Sequence, residues 1–452
     1  MGWRDLTCYG STFYETPNID RLAAQGVRFT DAYAACPVCS PTRASILSGK
    51  YPARVGVTDW IGAHTRGKLI DAPYVDHLPL DEYSLARALR AGGYQTWHVG
   101  KWHLGVELYY PEHHGFDVNI AGCHWGHPRN GYFSPWGIPT LKDNSPGEYL
   151  GDRLTDEAIH LIENRDNRPF FLNLWYYEVH TPIQAKPRKV EKYTQKVHDQ
   201  HLDELLTFQE GDFFPCEHKK DQRIVRRLVQ SDANYAAMIE TVDENVGRLL
   251  DVLERQGIAG NTLVIFTSDN GGLATSEGSP TCNAPLSEGK GWMYEGGTRE
   301  PLLIRWPGAI RPGFVCQAPV TSPDFYPTLL EAAGLPLIPD QHCDGISLVP
   351  TLTSSSLSLK GEGKDRPIYW HYPHYGNQGG TPGSSVRLGD DKLIEFFEQD
   401  RIELYHLRVD PGEKHNLAGE HPHQAEQLRE TLTEWRARVR AKIPRPNLAW
   451  KG

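Results

Sequence analysis

The segment from Cys36 to Gly49 combines a nucleophile with a local structure that favours anions. It reads C-P-V-C-S-P-T-R-A-S-I-L-S-G, in which Ser40 suits a helix N-cap and Gly49 suits a left-handed terminating position. This pattern predicts that Cys39 lies at the N-terminus of a short helix, where free backbone N–H groups and the helix dipole attract negative charge. Arg43 adds a fixed positive charge one turn further along. Taken alone, the segment fits a half-buried structural cysteine equally well.

Other chemically active side chains follow predicted strands. Apolar runs at 94–99, 170–177 and 262–267 each come after a predicted helix, the longest of which is predicted at 224–253. Helices that alternate with buried strands indicate a mostly parallel sheet with helices on both faces. Such sheets bind ligands at the carboxyl ends of their strands. The pattern therefore predicts that one edge of the sheet carries Lys101, His103, His180, Asp269 and Asn270.

The loop at 274–300 is rich in glycine and serine, and it adds Lys290 within a Gly-Lys-Gly sequence. Long loops in compact domains are commonly functional. Singly, each of these polar residues has an ordinary explanation, and S-D-N-G-G at 268–272 alone would be a turn. Together they supply a nucleophile, three cations, two acid–base candidates and oxygen ligands for a metal. This combination suits attack on a tetrahedral oxyanion ester.

Five ordered motifs resemble the type I sulfatases of the alkaline phosphatase superfamily, in particular their arylsulfatase A-like and N-acetylgalactosamine-6-sulfatase-like members. C-S-P-T-R from Cys39 matches the C-x-P-x-R core that a formylglycine-generating maturation enzyme recognises in that family. The run at 93–105, which contains G-K-W-H, resembles the family's second signature. V-H-T-P at 179–182, S-D-N-G-G and G-K-G follow in the family's order, and the C-terminal E-L-Y-H-L is similar to its small-domain ending.

This resemblance implies both a fold and a mechanism. The fold would be alkaline phosphatase-like, with a large, mostly parallel α/β sheet and a small C-terminal α+β domain that has an antiparallel sheet and one helix. Cys39 would be oxidised to formylglycine and hydrated, so that one hydroxyl attacks sulfur and the second later expels sulfate. The implied roles of the other residues are to hold and deprotonate the diol (Arg43, His103), to bind sulfate oxygens (Lys101, Lys290) and to donate a proton or hydrogen bond to the departing oxygen (His180).

The resemblance also implies a divalent cation held by Asp269, Asn270 and an oxygen on the modified Cys39. Oxygen donors favour Ca²⁺, with Mg²⁺ as an alternative, over Zn²⁺. Two-zinc phosphatases and phosphodiesterases of this fold would carry Asp-His-Gly at the same turn, because imidazole suits zinc. A formylglycine-dependent hydrolase of phosphonate or phosphate esters stays an open alternative.

One departure from the family pattern precedes the segment Gly2 to Leu6. Family members place a central strand ending in two adjacent aspartates just before such a segment. Ca²⁺ takes about six to eight oxygen ligands, more than Asp269, Asn270 and one diol oxygen supply. We therefore expect a longer protein with a preceding strand, and an export signal on it would direct the protein out of the cell or to the periplasm. Without that strand, a metal-poor relative that only binds sulfated ligands is the alternative.

Composition and length limit the class of protein. The 452 residues include 47 Lys plus Arg and 57 Asp plus Glu, so the net charge of −10 gives no cationic face for nucleic acid. Eight irregularly spaced cysteines do not form a disulfide scaffold, and the single C-x-x-C pair lacks the second pair of a zinc site. No apolar run is long enough to span a bilayer. We predict a catalytic domain at 1–353, a linker at 354–364 and a second domain at 365–452.

The part of the substrate beyond the sulfate is less well specified by the sequence. Two clusters rich in histidine and aromatic residues could line a sugar subsite, with His124 and Arg129 in one and His371 and His374 in the other. Ordinary packing explains any one of them equally well. The 12 Trp and 21 Tyr residues would suit stacking on sugar rings. We therefore expect a sulfated mono- or oligosaccharide rather than a simple aryl sulfate.

Overall fold

A computed structural model describes residues 1–354 and 366–450 of the chain. The strands are β1 (Val27–Tyr33), β2 (Leu69–Ile70), β3 (Gln95–Gly100), β4 (Val118–Ile120), β5 (Phe170–Trp175), β6 (Phe208–Phe213), β7 (Arg223–Arg227), β8 (Val264–Thr267), β9 (Arg299–Arg305), β10 (Phe314–Cys316), β11 (Val320–Thr321), β12 (Ile368–Tyr372), β13 (Gly383–Leu388), β14 (Asp391–Phe396), β15 (Arg401–His406) and β16 (Arg445–Pro446). The α-helices are α1 (Pro17–Ala24), α2 (Cys39–Ser48), α3 (Pro52–Val55), α4 (Leu85–Ala91), α5 (Leu150–Glu163), α6 (Pro187–Asp199), α7 (Ala233–Arg255), α8 (Glu295–Thr298), α9 (Phe325–Ala332), α10 (Val349–Leu352) and α11 (Pro422–Val439).

The large unit contains two central sheets. One has the order β10-β1-β9-β8, with β11 also paired to β1, and the other has the order β4-β3-β5 with all strands parallel. The predicted α/β class with a separate C-terminal antiparallel sheet is confirmed. The first sheet is mixed, because β9 runs antiparallel to both β1 and β8. β9 enters the sheet after the long loop at 274–294 and the four-residue helix α8, and not after a long crossover helix of the kind that joins parallel strands.

Helices cover both faces of the central sheets. Val264 and Phe266 of β8 pack in a cluster with α7 residues, whereas Ile265 between them packs in a cluster with Phe325 of α9. Successive side chains of a strand point to opposite faces. α7 and α9 therefore lie on opposite sides of β8, which is the three-layer arrangement that the alternating pattern predicts.

The predicted helix at 224–253 is too long at its start. The structure has β7 at Arg223–Arg227, paired with β6 in a hairpin, and α7 begins only at Ala233. The Asp232 side chain accepts a hydrogen bond from the backbone N–H of Tyr235 at 2.9 Å and caps the helix. Apolar residues at 224, 225 and 228 also fit a short strand, so helical spacing alone could not set the boundary.

The C-terminal part forms the antiparallel sheet β12-β13-β14-β15, with α11 packed against it through Leu428, Leu432 and Trp435. Trp370 and Ile394 of this sheet pack against Tyr33 and Val38 of the large unit. The linker predicted at 354–364 lies outside the described residues apart from Ser354, so the domain boundary stays a prediction. No helix in residues 1–354 or 366–450 is both long and apolar enough to cross a bilayer.

Candidate active site

Helix α2 places Cys39 at its first position. The backbone of Val38 is extended and serves as the N-cap, so the prediction that Ser40 caps the helix is wrong. The Ser40 hydroxyl instead donates a hydrogen bond to the carbonyl oxygen of His103 at 2.9 Å, which ties α2 to the segment after β3. Gly49 ends the helix in the left-handed region with φ of 68°, as predicted. Cys39 is 3% exposed.

His103 faces Cys39 directly. Its Nδ1 lies 3.4 Å from Cys39 Sγ, and its Nε2 lies 3.0 Å from the carbonyl oxygen of Ile61. A carbonyl only accepts, so we assign the ring hydrogen to Nε2, which leaves the Nδ1 lone pair toward Cys39. Gly126 leaves room for the ring, because a Cβ there would lie 2.6 Å from His103 Cε1. The site thus presents a basic nitrogen to whatever group Cys39 carries.

Arg43 joins three parts of the chain at the rim. Its Nε donates to Asp269 Oδ2 at 2.8 Å, and its Nη1 donates to the carbonyl oxygen of Lys101 at 2.9 Å. The guanidinium also lies over the Trp175 ring, 4.7 Å from its centroid. Trp175 ends β5 and was not predicted as a site residue, since the sequence shows it only as part of an apolar run. These contacts bring the ends of β3, β5 and β8 together.

Positive charge dominates the site. Lys101 is 2% exposed, and burial lowers the pKa of its ammonium to about 8. Burial acts to raise the pKa of the Cys39 thiol, but Lys101, His103 and Lys290 hold it well below its usual range. Enclosure likewise acts to raise the pKa of Asp269, and Arg43 with both lysines holds it below the ordinary value. The rim therefore favours anionic groups.

His180 and Lys290 form a second pair at this rim. Lys290 Nζ lies 2.9 Å from His180 Nε2, and His180 Nδ1 lies 3.0 Å from the carbonyl oxygen of Thr181. We assign the ring hydrogen to Nδ1, so that Nε2 accepts from the lysine. Enclosure, together with Lys290 and Lys101, holds the pKa of His180 well below its usual value. The imidazole is therefore neutral at neutral pH.

The predicted metal ligands fit a hard cation in kind but not in number. Asn270 Oδ1 is buried and has no hydrogen-bond partner, which is a suitable state for a metal-binding oxygen. Asp269 offers a carboxylate beside it, although one of its oxygens is paired with Arg43. Among the described residues, no three His, Cys, Asp or Glu side chains are grouped to hold a metal ion. Two side chains fall short of the about six to eight oxygens that Ca²⁺ takes.

Two of the predicted substrate-binding residues lie in the segment that contacts His103. His124 Nδ1 lies 2.9 Å from the Tyr110 hydroxyl, and the Arg129 guanidinium lies 4.8 Å from the centroid of the Trp125 ring. His127 lies between these two residues in the sequence and is exposed to solvent. Its ring stacks on that of His180, with ring centroids 6.0 Å apart. This segment therefore borders the site on the side of His180.

The other two predicted substrate-binding residues are not brought to the site. His371 is 3% exposed, and its two ring nitrogens pair with the Ser384 hydroxyl and the Lys442 carbonyl oxygen. His374 is fully buried, with Nε2 at 2.9 Å from the Thr58 hydroxyl. Neither residue can contact a substrate in this structure, because His371 is buried in the C-terminal sheet and His374 is buried against Thr58 of the large unit.

Comparisons with known proteins agree with this geometry. A family model described as Sulfatase matches residues 1–335, and one described as N-sulphoglucosamine sulphohydrolase, C-terminal, matches residues 288–441. Human N-acetylgalactosamine-6-sulfatase is 33% identical over an alignment that covers 94% of this chain and 75% of that protein. The chain belongs to the sulfatase family. It is thus a sulfuric ester hydrolase by class.

Solved structures support the same fold for this sulfatase. Ps i-CgsB in complex with k-i-k-neocarrahexaose matches with a TM-score of 0.74 and 27% identity, covering 96% of this chain and 90% of that one. BT4656 in complex with its substrate D-glucosamine-2-N,6-O-disulfate matches with a TM-score of 0.72 and 25% identity, covering 97% and 96%. The alkaline phosphatase-like α/β fold predicted from the motifs is confirmed.

Proposed function

We propose that this sulfatase hydrolyses a sulfate ester of a carbohydrate to an alcohol and inorganic sulfate, with Cys39 in its formylglycine form. The observation that carries the proposal is the meeting of Cys39, His103, Lys101 and Lys290 in one enclosed, cationic site. A sulfate monoester is a compact anion with oxygens for several donors, so this cluster suits it. Each preorganised donor of this kind contributes about 2.7 to 4 kcal/mol to transition-state stabilisation.

The carbohydrate part of the proposal rests on relatives and on the rim. N-acetylgalactosamine-6-sulfatase and BT4656 are named for, or solved with, sulfated amino sugars. In this chain, Trp125 offers an aromatic face and Arg129 a cation next to the site. Aromatic faces bind sugar rings and a guanidinium binds hydroxyls or further acidic groups. We propose Trp125, His127, Arg129 and His124 as the residues around the sugar.

Formylglycine at position 39 would supply a hydrated aldehyde, whose two hydroxyls allow attack on sulfur and later release of sulfate. His103 Nδ1, 3.4 Å from Cys39 Sγ, would accept the proton from the attacking oxygen. Arg43, fixed by Asp269 and by the Lys101 carbonyl, would orient this oxygen. We propose that a formylglycine-generating enzyme recognises C-S-P-T-R and carries out the modification.

Lys101 and Lys290 would bind the sulfate oxygens, and His180 would act at the leaving group. A bound sulfate oxygen offers Lys290 a stronger acceptor than imidazole. His180 Nε2 carries no proton in the assigned tautomer, so it must gain one before it can donate. With Lys290 held as a cation on the sulfate, Nε2 is free of the hydrogen bond that it accepts at 2.9 Å in this structure. His180 would take up a proton there from solvent and donate it to the departing alkoxide.

Asp269 and Asn270 would hold a Ca²⁺ or Mg²⁺ ion through Asp269 carboxylate oxygen and Asn270 Oδ1. The bound cation would add positive charge beside the oxygen on residue 39. These two side chains are too few for a complete Ca²⁺ site. None of the proton transfers described above depends on the cation.

The test is expression together with a formylglycine-generating enzyme, followed by mass spectrometry of the peptide that contains Cys39 and by activity assays. Substrates are 6-sulfated N-acetylgalactosamine and N-acetylglucosamine, beside an aryl sulfate and a phosphonate monoester. We expect conversion of Cys39 and preference for a sugar sulfate. Cys39→Ala should be inactive, whereas Cys36→Ala, at the neighbouring buried cysteine, should keep activity. Activity with unmodified Cys39 would overturn the proposal, and preference for the phosphonate would favour the alternative ester class.

A further inference from the structure

The ring of His103 is oriented by a segment that has no helix or strand of its own. The Ile61 carbonyl, which accepts from His103 Nε2, lies in the irregular stretch between α3 and β2. His103 itself has a backbone φ of 55°, a left-handed conformation that a residue with a side chain keeps only where its surroundings hold it. Whatever fixes Ile61 therefore also fixes the direction in which the His103 ring points.

One end of the segment 58–61 is tied to helix α2. The Ile61 N–H donates to Ser40 Oγ at 3.2 Å, and the same hydroxyl donates to the carbonyl oxygen of His103. Ser40 follows Cys39 directly in the sequence. These two hydrogen bonds place Ile61 beside the nucleophile, but they involve only the last residue of the segment.

The other end of the segment 58–61 is held by the C-terminal unit. Thr58 Oγ1 lies 2.9 Å from His374 Nε2, and the Tyr372 hydroxyl donates to Asp59 Oδ1 at 3.1 Å. Tyr372 ends β12, and His374 follows two residues later. The C-terminal unit thus contacts the segment that carries the carbonyl partner of His103.

His374 also faces two carboxylates. Its Nδ1 lies 3.8 Å from Asp59 Oδ2 and 3.5 Å from Asp71 Oδ1, and all three atoms are buried without a hydrogen-bond partner. An ionised carboxylate only accepts, so we assign a ring hydrogen to Nδ1, where it attracts both oxygens. Burial raises the pKa of Asp59 to about 7, although the neighbouring His374 acts to lower it. Loss of the imidazole would leave both buried oxygens without this attraction.

A buried polar cluster is an unfavourable way to attach one unit to another, because desolvation of the charges can exceed the attraction between them. The C-terminal sheet is already attached by apolar contacts of Trp370 and Ile394 with Tyr33 and Val38. The cluster at Asp59 instead lies two residues before the carbonyl that orients the His103 ring. Its place in the chain points to control of the segment 58–61.

We propose that Asp59 and His374 are positioning residues for His103, which they reach through the segment 58–61 and its Ile61 carbonyl. They keep the ring hydrogen on Nε2 and the Nδ1 lone pair toward residue 39. The C-terminal unit thereby takes part in activating the nucleophile without touching the substrate, a role that rests on the proposed function of His103 as the base. Loss of either side chain lets the segment shift, which slows proton removal but leaves sulfate binding by the two lysines intact.

The kinetic test uses the matured enzyme with p-nitrophenyl sulfate and 6-sulfated N-acetylglucosamine. His374→Gln and Asp59→Asn should lower kcat about ten- to a hundredfold on both substrates and change KM less than about twofold. His371→Gln is the matched control, because His371 is also buried but its ring pairs with Ser384 and Lys442. Unchanged kcat in both test variants, or an equal loss in the control, would overturn the proposal.

Two further variants separate positioning from a general loss of structure. Tyr372→Phe removes a single hydroxyl and should lower kcat by about threefold even if the larger changes prevent folding. In a His103→Ala background, His374→Gln should cost no further activity toward p-nitrophenyl sulfate, since the ring through which it acts is gone. A loss that persists in this background would overturn the route through His103.

Hydrogen–deuterium exchange of residues 58–62 gives a measurement that needs no activity. We expect exchange about tenfold faster in His374→Gln and Asp59→Asn than in the wild type, and unchanged in His371→Gln. Unchanged exchange in the test variants, or faster exchange with unchanged kcat, would overturn the positioning role. If the matured wild type hydrolyses neither ester, the proposed function fails, whereas exchange still decides whether the C-terminal unit holds the segment.

Discussion

At the scale of single residues, we predict that Lys101 sets an upper pH limit on activity. Burial lowers the pKa of its ammonium to about 8, so the charge that we propose binds sulfate is present below that pH and is lost as pH rises through it. We expect kcat/KM to fall above about pH 8. Lys101→Arg should move this descending limb to higher pH, since a guanidinium stays charged, at the expense of rate. The exposed Lys142→Arg is the control and should leave the pH profile unchanged.

His180 should matter most when the leaving group is poor. A sugar alkoxide needs a proton to depart, whereas a nitrophenolate leaves without one. His180→Gln should therefore lower kcat/KM on the order of a hundredfold or more for a sugar sulfate, and less than about tenfold for p-nitrophenyl sulfate. Equal losses on both substrates would show that His180 serves binding or packing and not protonation.

At the scale of elements, Gly49 ends α2, the helix that carries Cys39 and Arg43. Gly49 has φ of 68°, and a Cβ there would lie 2.4 Å from His342 Cβ. Gly49→Ala should destabilise the protein by more than about 2 kcal/mol, through backbone strain plus the clash. Gly93→Ala is the matched control, because Gly93 also has positive φ but has no atom within 4 Å of its Cβ position. It should cost about 1 to 2 kcal/mol. Urea unfolding of both variants measures the difference, and equal losses would exclude the His342 contact as a cause.

At the scale of the whole molecule, Lys392 joins the C-terminal sheet to the large unit. This fully buried ammonium lies 2.8 Å from Glu295 Oε1 and 2.9 Å from Glu413 Oε1. Lys392→Met would leave both carboxyl groups buried without it, so we expect a loss of about 3 to 5 kcal/mol in the free energy of unfolding. Arg408→Met removes the exposed Arg408–Asp390 pair beside the same sheet and should leave the free energy of unfolding nearly unchanged. Guanidinium unfolding followed by tryptophan fluorescence measures both variants. Equal losses of stability would contradict a stabilising role for the buried contacts of Lys392 with Glu295 and Glu413.

The site was predictable from sequence where a residue follows directly on a regular element. Lys101, His180 and Asp269 each come shortly after an apolar run, and parallel topology then places them on a common rim. His371 and His374 come from a strand and the segment after it, but they point into packing. Predicting a strand places a residue along the sheet. It does not show whether the side chain is covered, because the segments that pack on each face come from distant parts of the chain.

The sequence by itself determined the family motifs, the place of Cys39 at a helix start and the alternation of helices and strands, because these depend on local residue order and periodic burial. The tertiary structure decided the tautomers of His103 and His180, since the carbonyls of Ile61 and Thr181 are placed by the path of the backbone. It also decided that β9 runs antiparallel to β1 and β8. Strands pair with segments that are remote in the sequence, and the hydrophobic pattern within one strand does not identify the strand with which it pairs.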